Sequence, residues 1–155
     1  MILFLDFDGV LHPESSGQST DEAQAISHFC HLPRLESLLR EFPRVDIVIS
    51  SMWRERVDVA SLLAYFSGDI RPRILGTTAL SERTSAGYRR ARREEEIISW
   101  LYANGAIDLP WVALDDSDWQ FKKHLNCLVT CDPDIGFDDA AHAGLRKHFE
   151  KWLLL

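Results

Sequence analysis

The chain is poor in cysteine and has no long apolar run. Its three cysteines are few and odd in number, which is typical of a reducing compartment and argues against a disulfide scaffold. None of its apolar runs approaches the roughly 20 residues that a membrane-spanning helix needs. The apolar run at the amino terminus ends at Asp6 and is too short for a signal peptide. We therefore expect a cytoplasmic protein with no membrane partner.

Positive charge is scarce as well. The sequence has 17 Lys and Arg against 24 Asp and Glu, which gives a net charge of −7 at pH 7. This charge argues against a surface that binds nucleic acid or anionic membrane over its whole area, and is compatible with a local basic patch. The 155 residues fit one domain that can bury a core without disulfides or a structural metal.

Short apolar runs alternate with stripes of apolar residues at helical spacing. The runs 2–5, 45–49, 111–114 and 128–129 predict buried strands. Helices are predicted around 35–42, 59–66, 97–102 and 141–152. This alternation predicts an α/β fold, a three-layer Rossmann-like parallel sheet with helices on both faces. Within a single domain 1–155, we expect an exposed loop over 13–25 and a small cap or insert over 52–88.

Acidic residues follow two of these strands directly. Asp6 and Asp8 end the first strand, where the two-residue period of an extended chain points both carboxylates to the same side. Asp115 and Asp116 follow the run 111–114. Each Asp alone fits a helix cap or a turn, but two such clusters favour a common site at the carboxyl edge of the sheet. Their hard oxygen ligands suit Mg²⁺.

The strand predicted at 45–49 is followed by two hydroxyl side chains, Ser50 and Ser51. Together with the two acidic clusters, this strand end resembles the motifs of the haloacid dehalogenase (HAD) superfamily of phosphotransferases. Leu-Asp-Phe-Asp-Gly-Val-Leu at 5–11 matches its first motif, Val-Ile-Ser at 48–50 its second, and Leu-Asp-Asp-Ser at 114–117 the double-Asp form of its fourth. Three further segments resemble the HAD domain found with Swiss army knife RNA-repair proteins. These are Ser-Ser-Met-Trp-Arg at 50–54, Arg-x-x-Glu-Ile-x-x-Trp-Leu at 93–101 and Thr-Cys-Asp-Pro at 130–133.

The resemblance implies a HAD-like fold and a covalent mechanism. The short first loop, and a segment 52–88 that looks like one helix plus connecting structure, leave only a minimal cap. It implies that Asp6 is the nucleophile that forms an aspartyl-phosphate. It implies that Asp8 protonates the leaving oxygen and then accepts a proton from the hydrolytic water. Mg²⁺ is expected on the Asp6 carboxylate, the Asp8 main-chain carbonyl and Asp116, with Asp115 beside it.

Two phosphate contacts are also implied, and each leaves a choice open. The second motif assigns a hydroxyl donor to Ser50, with Ser51 as the near-equal alternative. The third motif calls for a Lys or Arg, because three acids and a phosphate need more positive charge than one metal supplies. Arg93 fits the pattern best, and Arg90 and Arg92 remain alternatives.

The sequence therefore predicts a Mg²⁺-dependent phosphatase. The favoured substrate is a phosphate on an RNA or DNA end or on a nucleotide, because a minimal cap leaves the site open to a polymer. The alternatives are another phosphorylated partner and a catalytically silent HAD-like binding module. Trp53, Trp119 and Phe121 flank the acidic clusters, where they either stack on a nucleobase or pack in the core. The oligomeric state stays open.

Two other hypotheses are rejected. A two-component receiver domain carries its acidic pair on the first strand and its acceptor Asp later, which is the reverse of the order seen here. The segment 28–31, His-Phe-Cys-His, has zinc-compatible side chains, but its spacing matches no recognised zinc pattern and no second cluster accompanies it.

Overall fold

The structure, a computed structural model, describes residues 1–14, 28–80 and 92–153. Over these ranges the strands are β1 Ile2–Leu5, β2 Asp46–Ile49, β3 Ile74–Thr77, β4 Trp111–Asp115 and β5 Leu128–Thr130. The α-helices are α1 Leu32–Glu41, α2 Val59–Leu63, α3 Arg92–Ala103 and α4 Asp139–Leu153. Each strand is short and followed by a turn or a helix, as expected for crossovers between parallel strands.

The five strands form one parallel sheet in the order β3-β2-β1-β4-β5. Successive residues of a strand point to opposite faces, and the core divides accordingly. Leu3 and Leu5 of β1 belong to one apolar cluster, which α1 and α4 cover. Ile2 and Phe4 belong to a second cluster, which α3 covers. The predicted α/β fold, a parallel sheet with helices on both faces, is therefore confirmed.

One strand was not predicted. Ile-Leu-Gly-Thr at 74–77 forms β3, which pairs with β2 at the edge of the sheet. Its sequence is short, contains a glycine and leaves Leu75 exposed, so it lacks the buried apolar run that marks a central strand. Part of the predicted insert 52–88 therefore belongs to the sheet rather than to a cap.

The predicted helices are found with altered ends. α2 ends at Leu63, before the predicted Phe66, although Phe66 is still buried. Asp138 caps α4, since its Oδ1 accepts the backbone N–H of Ala141 at 2.8 Å. Most of the predicted loop 13–25 lies outside the described residues. Among the helices of the described ranges, none combines the length and apolar character needed to span a bilayer.

Candidate active site

A row of polar residues runs along the carboxyl edge of the sheet. The register pairs Leu5 with Ile49 and with Leu114, so the next residues of the three strands, Asp6, Ser50 and Asp115, are neighbours. Backbone hydrogen bonds continue the ladder through this row, from Asp6 N–H to the Leu114 carbonyl at 3.1 Å and from Ser50 N–H to the Leu5 carbonyl at 2.9 Å. The same strands that build the core thus present these side chains together.

Three carboxylates meet at the centre of this edge. Asp6, Asp115 and Asp116 each offer a ligand atom, and these atoms all lie within 4.8 Å of one another. Asp6 and Asp115 are 5% and 1% exposed. Burial, and then the neighbouring Asp6 charge, raises the pKa of Asp116 to about 6. Burial likewise raises the pKa of Asp115, although Arg93 opposes the shift. Concentrated negative charge on hard oxygen atoms fits a divalent cation such as Mg²⁺.

Gly9 makes room for this cluster. Its φ of +68° lies in the left-handed region, which glycine adopts without steric cost. A Cβ at this position would lie 2.7 Å from Cγ of Asp116, closer than carbon atoms pack. The glycine of the first motif is therefore required both by the turn and by the approach of Asp116.

Arg93 projects from the first turn of α3 into the cluster. Its Nη1 lies 2.8 Å from Asp115 Oδ2 and 3.4 Å from Asp6 Oδ1. Burial disfavours its charge, but Asp6 and Asp115 outweigh that cost and raise the pKa of Arg93 above its ordinary value. Arg92 points elsewhere, toward Glu96 and Glu55. The other alternative for the basic position, Arg90, lies outside the described residues.

The two serines after β2 have different surroundings. Ser51 Oγ accepts the backbone N–H of Trp53 at 3.3 Å and so caps the 3-10 turn Met52–Glu55. Ser50 Oγ is buried and has no hydrogen-bond partner among the described residues. An unsatisfied buried hydroxyl is costly, and Ser50 lies in the row beside Asp6. This contrast favours Ser50 as the residue that serves a ligand.

Asp8 turns away from the three clustered carboxylates. Its Oδ1 lies 2.9 Å from His12 Nε2, and its Oδ2 accepts the Trp53 Nε1–H at 2.9 Å. Burial alone would raise the pKa of Asp8, but these two hydrogen bonds hold it below its ordinary value. Its carboxylate remains 42% exposed and so is accessible from the open side of the site.

Comparison with known proteins places the chain in a family. The family model described as the HAD domain in Swiss Army Knife RNA repair proteins matches residues 2–142. This chain belongs to that family. No curated protein and no solved structure matches the chain. Family membership confirms the resemblance inferred from the motifs and indicates a phosphatase-type hydrolase.

Sequence reasoning missed several residues around the site of this HAD domain. His12 and Arg54 are the main examples, although each stood inside a quoted motif or directly beside one. Arg54 donates to the carbonyls of Ser50 and Ser51 at 2.6 and 2.7 Å, to the Thr78 carbonyl at 2.9 Å, and to Glu96 at 2.6 Å. It therefore ties the ends of β2 and β3 to α3.

Two of the aromatic residues that follow the second acidic cluster differ in their exposure. Phe121 is buried in the core under α3, whereas Trp119 is 48% exposed. Stacking of Trp119 on a nucleobase stays a prediction.

The zinc-compatible side chains of the segment 28–31 make other contacts. His31 contacts the Ile135 carbonyl at 2.8 Å, and Cys30 contacts the Leu11 carbonyl at 3.9 Å. Within the described ranges, this segment is not among the groups able to hold a metal.

Proposed function

We propose that this HAD domain is a Mg²⁺-dependent phosphatase that works through an aspartyl-phosphate on Asp6. We propose that its substrate is a phosphate on a nucleic-acid end or a nucleotide. The observation that carries the proposal is the cluster of Asp6 and Asp115, both buried, with the half-buried Asp116, and Arg93 against it. Such a cluster at the carboxyl ends of parallel strands is where ligands bind in open α/β folds.

The contacts of Asp6 support its role as the nucleophile. The backbone N–H of Phe7 donates to Oδ1 at 2.9 Å, and Arg93 approaches the same oxygen at 3.4 Å. We therefore expect Oδ2 to attack phosphorus, forming the Oδ2–P bond while the bond from phosphorus to the leaving oxygen breaks. Because the pKa of Asp8 is lowered in the resting site, Asp8 takes up a proton on its exposed side and passes it to that oxygen. In the second step, water attacks phosphorus, Asp8 takes a proton from it, and inorganic phosphate leaves the restored Asp6 carboxylate.

The metal is assigned to the oxygen atoms of this edge. Asp6, Asp116 and the main-chain carbonyl of Asp8 would hold Mg²⁺, with Asp115 beside them. When bound, Mg²⁺ supplies positive charge against the transferring phosphoryl group. Asp115 has a second task, since its Oδ1 accepts the Ser117 N–H at 2.9 Å while its Oδ2 faces Arg93. It thereby orients Arg93 toward the phosphate, which the Ser50 hydroxyl also contacts.

Two observations support a nucleic-acid substrate. The family is described by its occurrence in RNA repair proteins. In addition, Arg83, Arg89, Arg90, Arg92 and Arg93 fall within eleven residues of an otherwise acidic chain. Arg92 and Arg93 already pair with acids of the protein, so Arg83, Arg89 and Arg90 would hold the phosphates that flank a polymer end. A phosphatase for another phosphorylated partner shares the same chemistry and differs in the salt dependence described below. A silent binding module would have no use for the nucleophile.

The phosphatase proposal is tested by trapping the intermediate. With Mg²⁺, we expect the wild type to hydrolyse 4-nitrophenyl phosphate and Asp6→Asn to be inactive, because an amide is a poor nucleophile. Asp8→Asn should still release one equivalent of nitrophenol and retain a labelled phosphoryl group on Asp6, since nitrophenol leaves without a proton. Asp108→Asn is the matched control, because this exposed carboxylate lies before β4, at the opposite edge of the sheet. Near-wild-type turnover by Asp6→Asn would contradict the covalent mechanism.

A further inference from the structure

His12 lies immediately beyond the first motif and is completely buried. Its exposed fraction is 0%, and a single β-bridge pairs its backbone with that of Asp8, four residues earlier. The turn through Gly9 brings the chain back so that the imidazole ring lies against the Asp8 carboxylate. Buried imidazoles need hydrogen-bond partners on their ring nitrogens, and the partners of His12 define its role.

The hydrogen bonds of His12 fix which nitrogen carries the proton. The backbone N–H of Phe29 lies 3.3 Å from Nδ1, and because an amide can only donate, Nδ1 must be the acceptor. In the neutral ring the proton then resides on Nε2, which donates to Asp8 Oδ1 at 2.9 Å. The second oxygen, Oδ2, accepts the indole N–H of Trp53, which is likewise a donor only.

The backbone at Phe29 is strained where it makes this contact. Its φ of +57° is the one positive value among the non-glycine residues of the described ranges. A bulky residue in this region costs energy and persists only where its surroundings hold it, which is often at functional sites. The Phe29 ring is held by Tyr65, stacked at 4.2 Å, and by Phe7 and Trp53 at 5.3 and 5.2 Å. The fold thus maintains the N–H that orients His12.

We propose that His12 and Trp53 are positioning residues that hold the Asp8 carboxylate in the orientation for proton delivery to the leaving oxygen. Both are pure donors toward Asp8, so neither can accept its proton. The two donors fix the plane of the Asp8 carboxylate, and its exposed side remains open to the leaving group that a substrate would place there. This inference rests on the proposed phosphatase activity and assigns two residues that the motifs do not.

The test separates proton delivery from phosphorus chemistry. We compare kcat/KM for glycerol 2-phosphate, whose leaving alkoxide needs a proton, with kcat/KM for 4-nitrophenyl phosphate, whose leaving group does not. For each ester, kcat/KM reports only the steps up to release of the alcohol, so hydrolysis of the aspartyl-phosphate does not affect it. Loss of a well-placed acid costs about 10²–10⁴-fold, so His12→Phe and Trp53→Phe should lower the alkyl value roughly 10–100-fold. The aryl value should stay within about threefold.

Rescue and control variants distinguish positioning from packing. His12→Gln restores a nitrogen donor near Nε2 and an acceptor for Phe29, and should recover most of the alkyl activity. Phe66→Leu disturbs the same core cluster through its ring contact with Phe7, at 6.2 Å, rather than through Phe29 or His12, so it should change both substrates equally. Equal losses on both esters for His12→Phe and Trp53→Phe would overturn the inference while leaving the proposed function intact. A wild type that is inactive on both esters would overturn the proposed function and this inference with it.

A measurement on the wild type covers the case in which a His12 variant does not fold. Nitrogen NMR of the imidazole should report the Nε2–H tautomer of His12, and Asp8→Asn should shift both this signal and the Trp53 indole N–H. The Nδ1–H tautomer, or no response to Asp8→Asn, would overturn the inference.

Discussion

Asp116 carries a charge that the fold disfavours unless a cation is bound. Its pKa is raised to about 6, above the ordinary Asp value of 3.8, by burial and by Asp6. A folded-state pKa above the unfolded value means that the ionised carboxylate destabilises the protein at pH above about 6. This destabilisation disappears as the pH falls below about 4. A bound cation reverses the balance, because it interacts with the ionised form.

We therefore predict opposite effects of Asp116→Asn with and without metal. At pH 7.5 in EDTA, the variant should be more stable than the wild type by about 1 kcal/mol, a figure reduced because Asp116 is partly exposed. This advantage should vanish near pH 4. Added Mg²⁺ should raise Tm of the wild type and leave the variant unchanged, as measured by circular dichroism.

The oxygen that contacts Ser117 keeps its hydrogen bond in this variant, because an Asn side chain also accepts. Asp108→Asn is the control for a lost surface charge, and its response to Mg²⁺ should equal that of the wild type. An equal Mg²⁺ shift in Asp116→Asn and the wild type would contradict the assignment of Asp116 as a ligand.

Acidic residues at the ends of apolar strands were predictable, whereas hydrogen-bond partners that distant parts of the chain supply to the site were not. Asp6, Asp115 and Asp116 lie at the ends of apolar strands, so their convergence follows from sheet geometry alone. The partners of Asp8 and His12 come from farther away: Trp53 is 45 residues from Asp8, and Phe29 is 17 residues from His12. No periodicity encodes such contacts. Trp53 was predicted to stack or to pack, and its indole hydrogen bond to Asp8 was missed.

At the scale of elements, a buried ion pair holds α3 against the sheet. The side chains of Arg54 and Glu96 are 3% and 2% exposed and lie 2.6 Å apart. Arg54 also satisfies the carbonyls that end β2, so it acts as a cap for the strand as well as a partner for the helix. Because Glu96 lies about one turn beyond Arg93 on α3, the pair fixes the helix that presents Arg93 to Asp6.

We predict that Glu96→Gln destabilises the protein by about 3 kcal/mol, since removing one partner leaves a buried charge uncompensated. Urea unfolding monitors the loss, and kcat/KM should fall as well because Arg93 shifts. The matched control is Glu41→Gln, which removes the charge of an exposed carboxylate that lies 2.6 Å from Arg146 in the wild type. It should cost less than about 1 kcal/mol. Similar losses for the two variants would contradict the special role of the buried pair.

Element prediction succeeded where burial imposed a clear pattern. The runs at β1, β2, β4 and β5 are apolar on both faces of the sheet, and the amphipathic stripes of α1 and α3 lie at the predicted positions. Among the strands of the described ranges, β3 has one neighbour, and its Leu75 is exposed, so its pattern resembles a loop. α2 ends at Leu63, and the last apolar residue of the predicted stripe, Phe66, packs into the core from the turn that follows the helix.

At the scale of the whole molecule, the charge distribution separates the candidate substrates. The chain carries a net charge of −7, yet five of its thirteen arginines lie between residues 83 and 93. Of these, Arg93 contacts Asp6 and Arg92 pairs with Glu96, while Arg83, Arg89 and Arg90 lie outside the described residues. A polyanion gains from such a cluster through release of counterions, whereas a small monoester gains little.

We therefore predict that a phosphate-ended oligonucleotide has a higher kcat/KM than 4-nitrophenyl phosphate at low salt, and that its advantage shrinks as salt rises. Replacing Arg89 and Arg90 with Gln should reduce the oligonucleotide value more than the aryl value, because these arginines would hold flanking phosphates rather than the reacting one. Arg93→Gln should damage both, since its guanidinium lies 3.4 Å from Asp6 in the reacting centre. Steady-state kinetics on both substrates at two salt concentrations measures these effects. Equal efficiency without salt dependence would instead indicate a different phosphorylated partner, because only a substrate with several phosphates responds to both the arginines and the salt.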